Sequence, residues 1–158
     1  MKKGLFNLVI ALTLELTLVG ANVQIASADK ASATAPKCSC VNYVKNKYNF
    51  RDPVGYAKNM GPYLKDRGFW KLTTPRPGEI IIMKPAFGHG VDSVAGHVGI
   101  IQSVIDQGST WKITVRGASQ AGSKWTESNC NNVSFWSNIV YPKSYGDNYV
   151  EYWVKGTK

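Results

Sequence analysis

Apolar side chains recur along this chain first at the spacing of a helix and then at that of a strand. In residues 40–48 (CVNYVKNKY), Val41, Val44 and Tyr48 fall on one helical stripe, with Lys45 and Lys47 turned away. Ser39 precedes them and can cap the helix, which puts Cys40 in its first turn. Asp52-Pro53 is a second helix-start signal. Residues 54–67 carry Ala57, Met60 and Leu64 on one stripe, which Gly61-Pro62 kinks or divides and Gly68 closes. The texture then changes. A turn-rich stretch, residues 74–78, leads into the apolar run 79–83 (EIIIM), which has the length of a strand. Residues 85–92 form a loop, broken by Pro85, Gly88 and Gly90. Residues 97–104 (HVGIIQSV) are β-branched, residues 111–116 (WKITVR) alternate apolar with polar, and residues 133–136 and 149–154 add two more strands. Helices first and strands in series predict an α+β fold, two helices packed on an antiparallel sheet.

The first residues follow another logic. Lys2 and Lys3 precede an apolar stretch from Leu5 to Ala21, and Ala26-Ser27-Ala28 supplies a small-x-small cleavage pattern. That order predicts a secretory signal peptide over residues 1–28. Glu15 interrupts the apolar run and argues against an uncleaved membrane anchor. Residues 29–37, small, polar and Ala-rich, read as a flexible arm, and residues 38–158 as one compact domain of a 158-residue chain.

Charge narrows the partners only slightly. The chain is +9 overall, and removing Lys2, Lys3 and Glu15 leaves +8. Such a protein suits an anionic surface. No arginine-rich cluster or nucleic-acid module is present, so nucleic acid is not an expected partner. The region after residue 28 has no long apolar or amphipathic segment, which excludes a membrane-active toxin and stable membrane insertion. A monomer is expected. Cys38, Cys40 and Cys130 all fall in the secreted part, and an odd count there leaves one free thiol. Pairing of Cys130 with Cys38 or with Cys40 stays open. Cys38 and Cys40 are too close in sequence to pair with each other. The Cys and His spacings fit no zinc pattern, and no cofactor is implied.

A thiol in the first turn of a helix feels the positive end of the helix dipole and can ionise near neutral pH. As a nucleophile it needs a base within hydrogen-bond reach. The chain offers two imidazoles, His89 and His97. His97 opens a strand after a loop and can project toward a neighbouring helix, whereas His89 lies inside a Gly-rich loop. These signals taken singly are as compatible with a structural cysteine and a core histidine.

Longer motifs go further. CxCVxYVK at a helix start, PxPGExI leading into a strand, AGHVGII, and a strand ending in VRGASQ resemble, in the same order, the CHAP family of cysteine, histidine-dependent amidohydrolases/peptidases. The resemblance spans residues 38–120. It implies a papain-like fold, a helix bearing the cysteine against an antiparallel sheet bearing the histidine. It also implies a cell-wall hydrolase acting on peptidoglycan, at the muramoyl–alanine amide or at a peptide bond of the stem or cross-bridge. The nucleophile falls on Cys40 and the base on His97. The third polar residue falls on Ser119, where relatives with a GANQ-like ending carry Asn. Gln120 takes that role only if the register shifts by one, since alternation points it to the opposite face. Ser39 stands where many relatives have Gln, and the backbone N–H of Cys40 is the expected oxyanion donor. The Ser119 departure, together with the lack of a recognisable separate wall-binding module, leaves a second reading open, a CHAP-like module that binds wall or peptide without cleaving it.

Overall fold

The computed structural model describes residues 38–120, 130 and 133–156. The expected signal peptide, residues 1–28, and the arm, residues 29–37, lie outside the described residues. The first helix, α1, spans Cys40–Lys47; the side chain of Ser39 accepts a hydrogen bond from Asn42 N and caps it as expected. Eight residues cannot hold a helix alone in water. Val41 and Val44 are buried in one cluster with Ile80, Ile82, Val98 and Ile100, and each such side chain stabilises by about 1.5–3 kcal/mol.

The second helix is shorter than its pattern suggests. Residues 53–55 are irregular, Ala57–Asn59 form one 3₁₀ turn, and α2 covers only Met60–Lys65. Pro62 is the reason: its ring and missing N–H are tolerated in a first helical turn and not further in. The helix therefore begins just before it. Asp52, read as a cap, instead pairs with Arg67.

Six strands follow: β1 (Phe69–Leu72), β2 (Ile80–Met83), β3 (His97–Asp106), β4 (Thr110–Gly117), β5 (Ser134–Pro142) and β6 (Val150–Lys155). They form one antiparallel sheet in the order β1-β6-β2-β3-β4-β5. The α+β class holds. Strand β1 was not foreseen, because FWKL is too short and too mixed to display a period of two. It is set by pairing with β6, from Phe69↔Lys155 to Leu72↔Tyr152.

Central strand β2 explains the unbroken apolar run. Ile80 and Ile82 enter the cluster that holds the helical side chains, while Ile81 and Met83 enter a second cluster with Ile113, Val115, Ile139 and Tyr152. A strand covered on both faces has no polar positions to alternate with. The sheet is strongly curled. Strands β5 and β6 are four places apart in the order, yet the hydroxyls of Tyr141 and Tyr152 lie 2.7 Å apart. Burial moves the Tyr152 phenol up to about 12, against the hydrogen bond with Tyr141, so this pair stays neutral.

The odd cysteine is settled by the chain's own geometry. Cys38 and Cys130 form a disulfide across 92 residues, and Cys40 is free.

Candidate active site

Cys40 and His97 line one cleft of about 770 Å³ together with Tyr56, Asp92, Gln120 and Trp136. His89 does not line it; its ring lies 5.2 Å from that of Phe87. Helix α1 presents Cys40 at its first position, and β3 presents His97 at its first position. Gly96 makes that strand start possible. Its φ of +72° is left-handed, and a Cβ there would come within 2.6 Å of Met83 O. Only glycine fits the approach to His97.

His97 is buried, and its Nε2 lies 2.6 Å from Oε1 of Gln120. The amide of Gln120 is oriented by its other end, where Nε2 donates to Val115 O at 2.8 Å and to Ser134 O at 2.9 Å. Two carbonyl acceptors require the NH₂ group there, so the oxygen must face the imidazole. His97 Nε2 therefore carries the proton and donates it to Gln120. Nδ1 is left with the lone pair. Trp136 packs edge-on to the ring at 5.9 Å between centroids.

The structure seats Gln120, not Ser119, against His97. The hydroxyl of Ser119 donates instead to Cys38 O at 3.4 Å. Alternation fails here for a local reason. Strand β4 ends at Gly117, and Ser119 has a φ of +57°, a left-handed conformation that reverses the direction of the next side chain. Gly117 then leaves room for Gln120 to fold back; a Cβ on it would stand 2.9 Å from Gln120 Oε1. Ser134 completes the clasp, its hydroxyl donating to Gln120 O at 2.6 Å.

The electrostatics of Cys40 also differ from expectation. Burial raises its thiol above the ordinary value of 9.0, against the backbone N–H groups of Val98, Val41 and Cys40, which favour the thiolate; the charge of Asp92 raises it further. The helix start is present, but desolvation outweighs it. Burial likewise lowers His97 below its ordinary 6.5, the hydrogen bond to Gln120 opposing. The resting pair is thus neutral thiol and neutral imidazole. A neutral imidazole with an open Nδ1 can accept a proton, and a thiol can give one.

Ser39 lines the same cleft, but its oxygen already accepts the bond from Asn42 N. The backbone N–H of Cys40, in the first turn of α1, remains a donor suited to a developing oxyanion.

A family model described as the CHAP domain matches residues 30–120, more than half of the chain. This chain belongs to the CHAP-domain family. The match takes in Cys40 and His97 and ends at Gln120, while β5 and β6 lie beyond it. No curated protein matches the sequence of this CHAP protein. Among solved structures it is similar to an N-acetylmuramoyl-L-alanine amidase from Staphylococcus aureus, at 15% identity and a TM-score of 0.47. That similarity covers 75% of this chain and 31% of the amidase chain, so the CHAP protein spans under a third of its length.

Proposed function

We propose that this CHAP protein is a secreted cysteine amidase or peptidase that hydrolyses an amide bond of peptidoglycan, with Cys40 as nucleophile, His97 as base and Gln120 as the group that orients the base. The observation that supports the reading is the tautomer of His97 that Gln120 fixes, which leaves the lone pair on Nδ1, in a cleft lined also by the free thiol of Cys40. Helix-borne cysteine and strand-borne histidine correspond to a papain-like arrangement.

In this mechanism Nδ1 of His97 takes the proton of Cys40 as sulfur attacks the scissile carbonyl. Transfer in concert with attack suits a pair that burial keeps neutral at rest. Negative charge passes to the carbonyl oxygen, toward the Cys40 backbone N–H. Gln120 Oε1 meanwhile stabilises the imidazolium through the Nε2 proton. The imidazolium protonates the leaving amine, a thioester remains on Cys40, and water activated by His97 releases the acid and restores the thiol.

The +8 charge left without residues 1–28 suits an anionic wall, and a disulfide together with those signal-like residues suits an exported protein. The binding-only reading rested in part on Ser119 as a weak third residue. It loses that motive with Gln120 in the role. The test is digestion of purified peptidoglycan by the secreted protein, followed by detection of newly exposed amino groups. Cys40→Ala is expected to lower the rate at least a thousandfold, on the order seen for loss of a catalytic nucleophile. Cleavage undiminished in Cys40→Ala would sink the proposal.

A further inference from the structure

Of the described residues lining the cleft, Asp92 alone carries a charge at neutral pH, and it is negative in a protein of net charge +9. Its Oδ1 accepts hydrogen bonds from Val94 N at 2.8 Å and Ala95 N at 2.7 Å. Those bonds, Ala95 first, and the charge of Lys58 hold the carboxyl below its ordinary 3.8. Its Oδ2 has no partner among the described residues. Lys58, whose charge acts on Asp92, lies with Nζ 5.4 Å from the ring centroid of Tyr56 and forms no ion pair with Asp92 among the described residues.

The rim around this carboxylate is firmly held. Lys58 N donates to Ala95 O at 2.9 Å, which ties the Tyr56 segment to the Asp92 turn, and Lys84 Nζ donates to Lys58 O at 2.7 Å. Tyr56, 52% exposed, and Trp136 line the same cleft. A carboxylate in a cleft also lined by aromatic rings is a binding arrangement for an ammonium group.

We infer that Asp92 is a specificity-determining residue of the proposed hydrolase, binding a protonated primary amine that the peptide substrate carries close to its scissile amide. This rests on the hydrolase reading and narrows it. A peptide bond next to an amine-bearing residue of the stem or cross-bridge fits, whereas the muramoyl–alanine amide has no such amine beside it. Asp92 is close enough for its charge to oppose ionisation of Cys40. A bound ammonium cancels that charge, so the correct substrate would relieve the thiol as it docks.

The test uses binding, so that it stands apart from catalysis. A wall stem peptide containing one lysine, with its side-chain amine free or N-acetylated, is titrated into the secreted Cys40→Ala protein. The free-amine form is expected to bind about fivefold more tightly, the scale of a partly exposed ion pair. Adding Asp92→Asn, which keeps an oxygen for Val94 and Ala95, is expected to bring that ratio to about one; Asp92→Glu should retain it. Equal binding of both peptides to Cys40→Ala overturns the inference. So does a ratio that survives Asp92→Asn. Failure of the hydrolase reading would show separately, as absence of peptidoglycan cleavage by the protein with Cys40 intact.

Discussion

The two halves of the candidate site are held in place by opposite means. Cys40 depends on its immediate neighbours: Ser39 caps its helix, Val41 and Val44 anchor it, and the Cys38 disulfide lies two residues away. His97 depends on residues far along the chain, namely Gln120, Ser134 and Trp136. The nucleophile needs its own short segment capped and seated on the sheet, whereas a base with a fixed tautomer needs polar groups from several strands to agree.

Removing the disulfide breaks the comparison most forcefully, because it is a covalent link from the Cys40 segment to a residue far along the chain. Cys38→Ala with Cys130→Ala is expected to cost about 2–4 kcal/mol of stability, read by denaturant unfolding. Loss of activity before loss of fold would mean that the Cys40 segment also needs long-range support.

On the His97 side, Gln120→Ala removes a hydrogen bond to an imidazole that becomes charged during the reaction. Activity should fall roughly ten- to a hundredfold, the equivalent of about 1.5–3 kcal/mol, with kcat carrying most of the change. Ser119→Ala should stay within about twofold in the same assay, since an exposed or weak hydroxyl contact contributes little. Equal losses at the two positions would refute the assignment of the third role to Gln120.

The smallest effect is in pH dependence, where the two groups respond in opposite directions. His97, lowered by burial, is neutral in the folded protein where the unfolded chain already binds a proton; its contribution to stability is therefore present above pH 6.5 and lost as pH falls below it. Cys40, raised by burial, contributes below pH 9.0 and loses that contribution as pH rises beyond it. Iodoacetamide labelling of the native protein should accordingly remain slow at neutral pH. Rapid labelling of Cys40 near pH 7 would show that the helix start outweighs desolvation after all.

Much of this was legible in the residues. The helix at Cys40, its serine cap and the presence of the strands after residue 79 follow from local patterning and capping, although β5 runs on to Pro142, past the expected end at residue 136. The start of α2 was misplaced because Pro62 counts for more than the Asp52-Pro53 signal. Strand β1 was invisible because its partner, β6, supplies the ordering. Gln120 ranked behind Ser119 because a period-of-two argument assumes extended backbone through Ser119. The signal that could have found it is the pair Gly117 and Ser119, a strand end followed by a residue type at home in turns. The raised thiol of Cys40 could not be read at all, since burial is a property of the folded surroundings.

The left-handed backbone of Ser119 bears on how sequences of this kind are compared. Asparagine is among the few side chains that adopt that conformation readily. An asparagine in a GANQ-like ending would thus suit position 119 for its backbone, while the glutamine beside it meets the imidazole. Two adjacent polar residues then vary under different rules: one answers to a torsion angle, the other to a proton. A change from Ser119 to Asn is, on this account, an adjustment of chain direction that leaves the chemistry where it was.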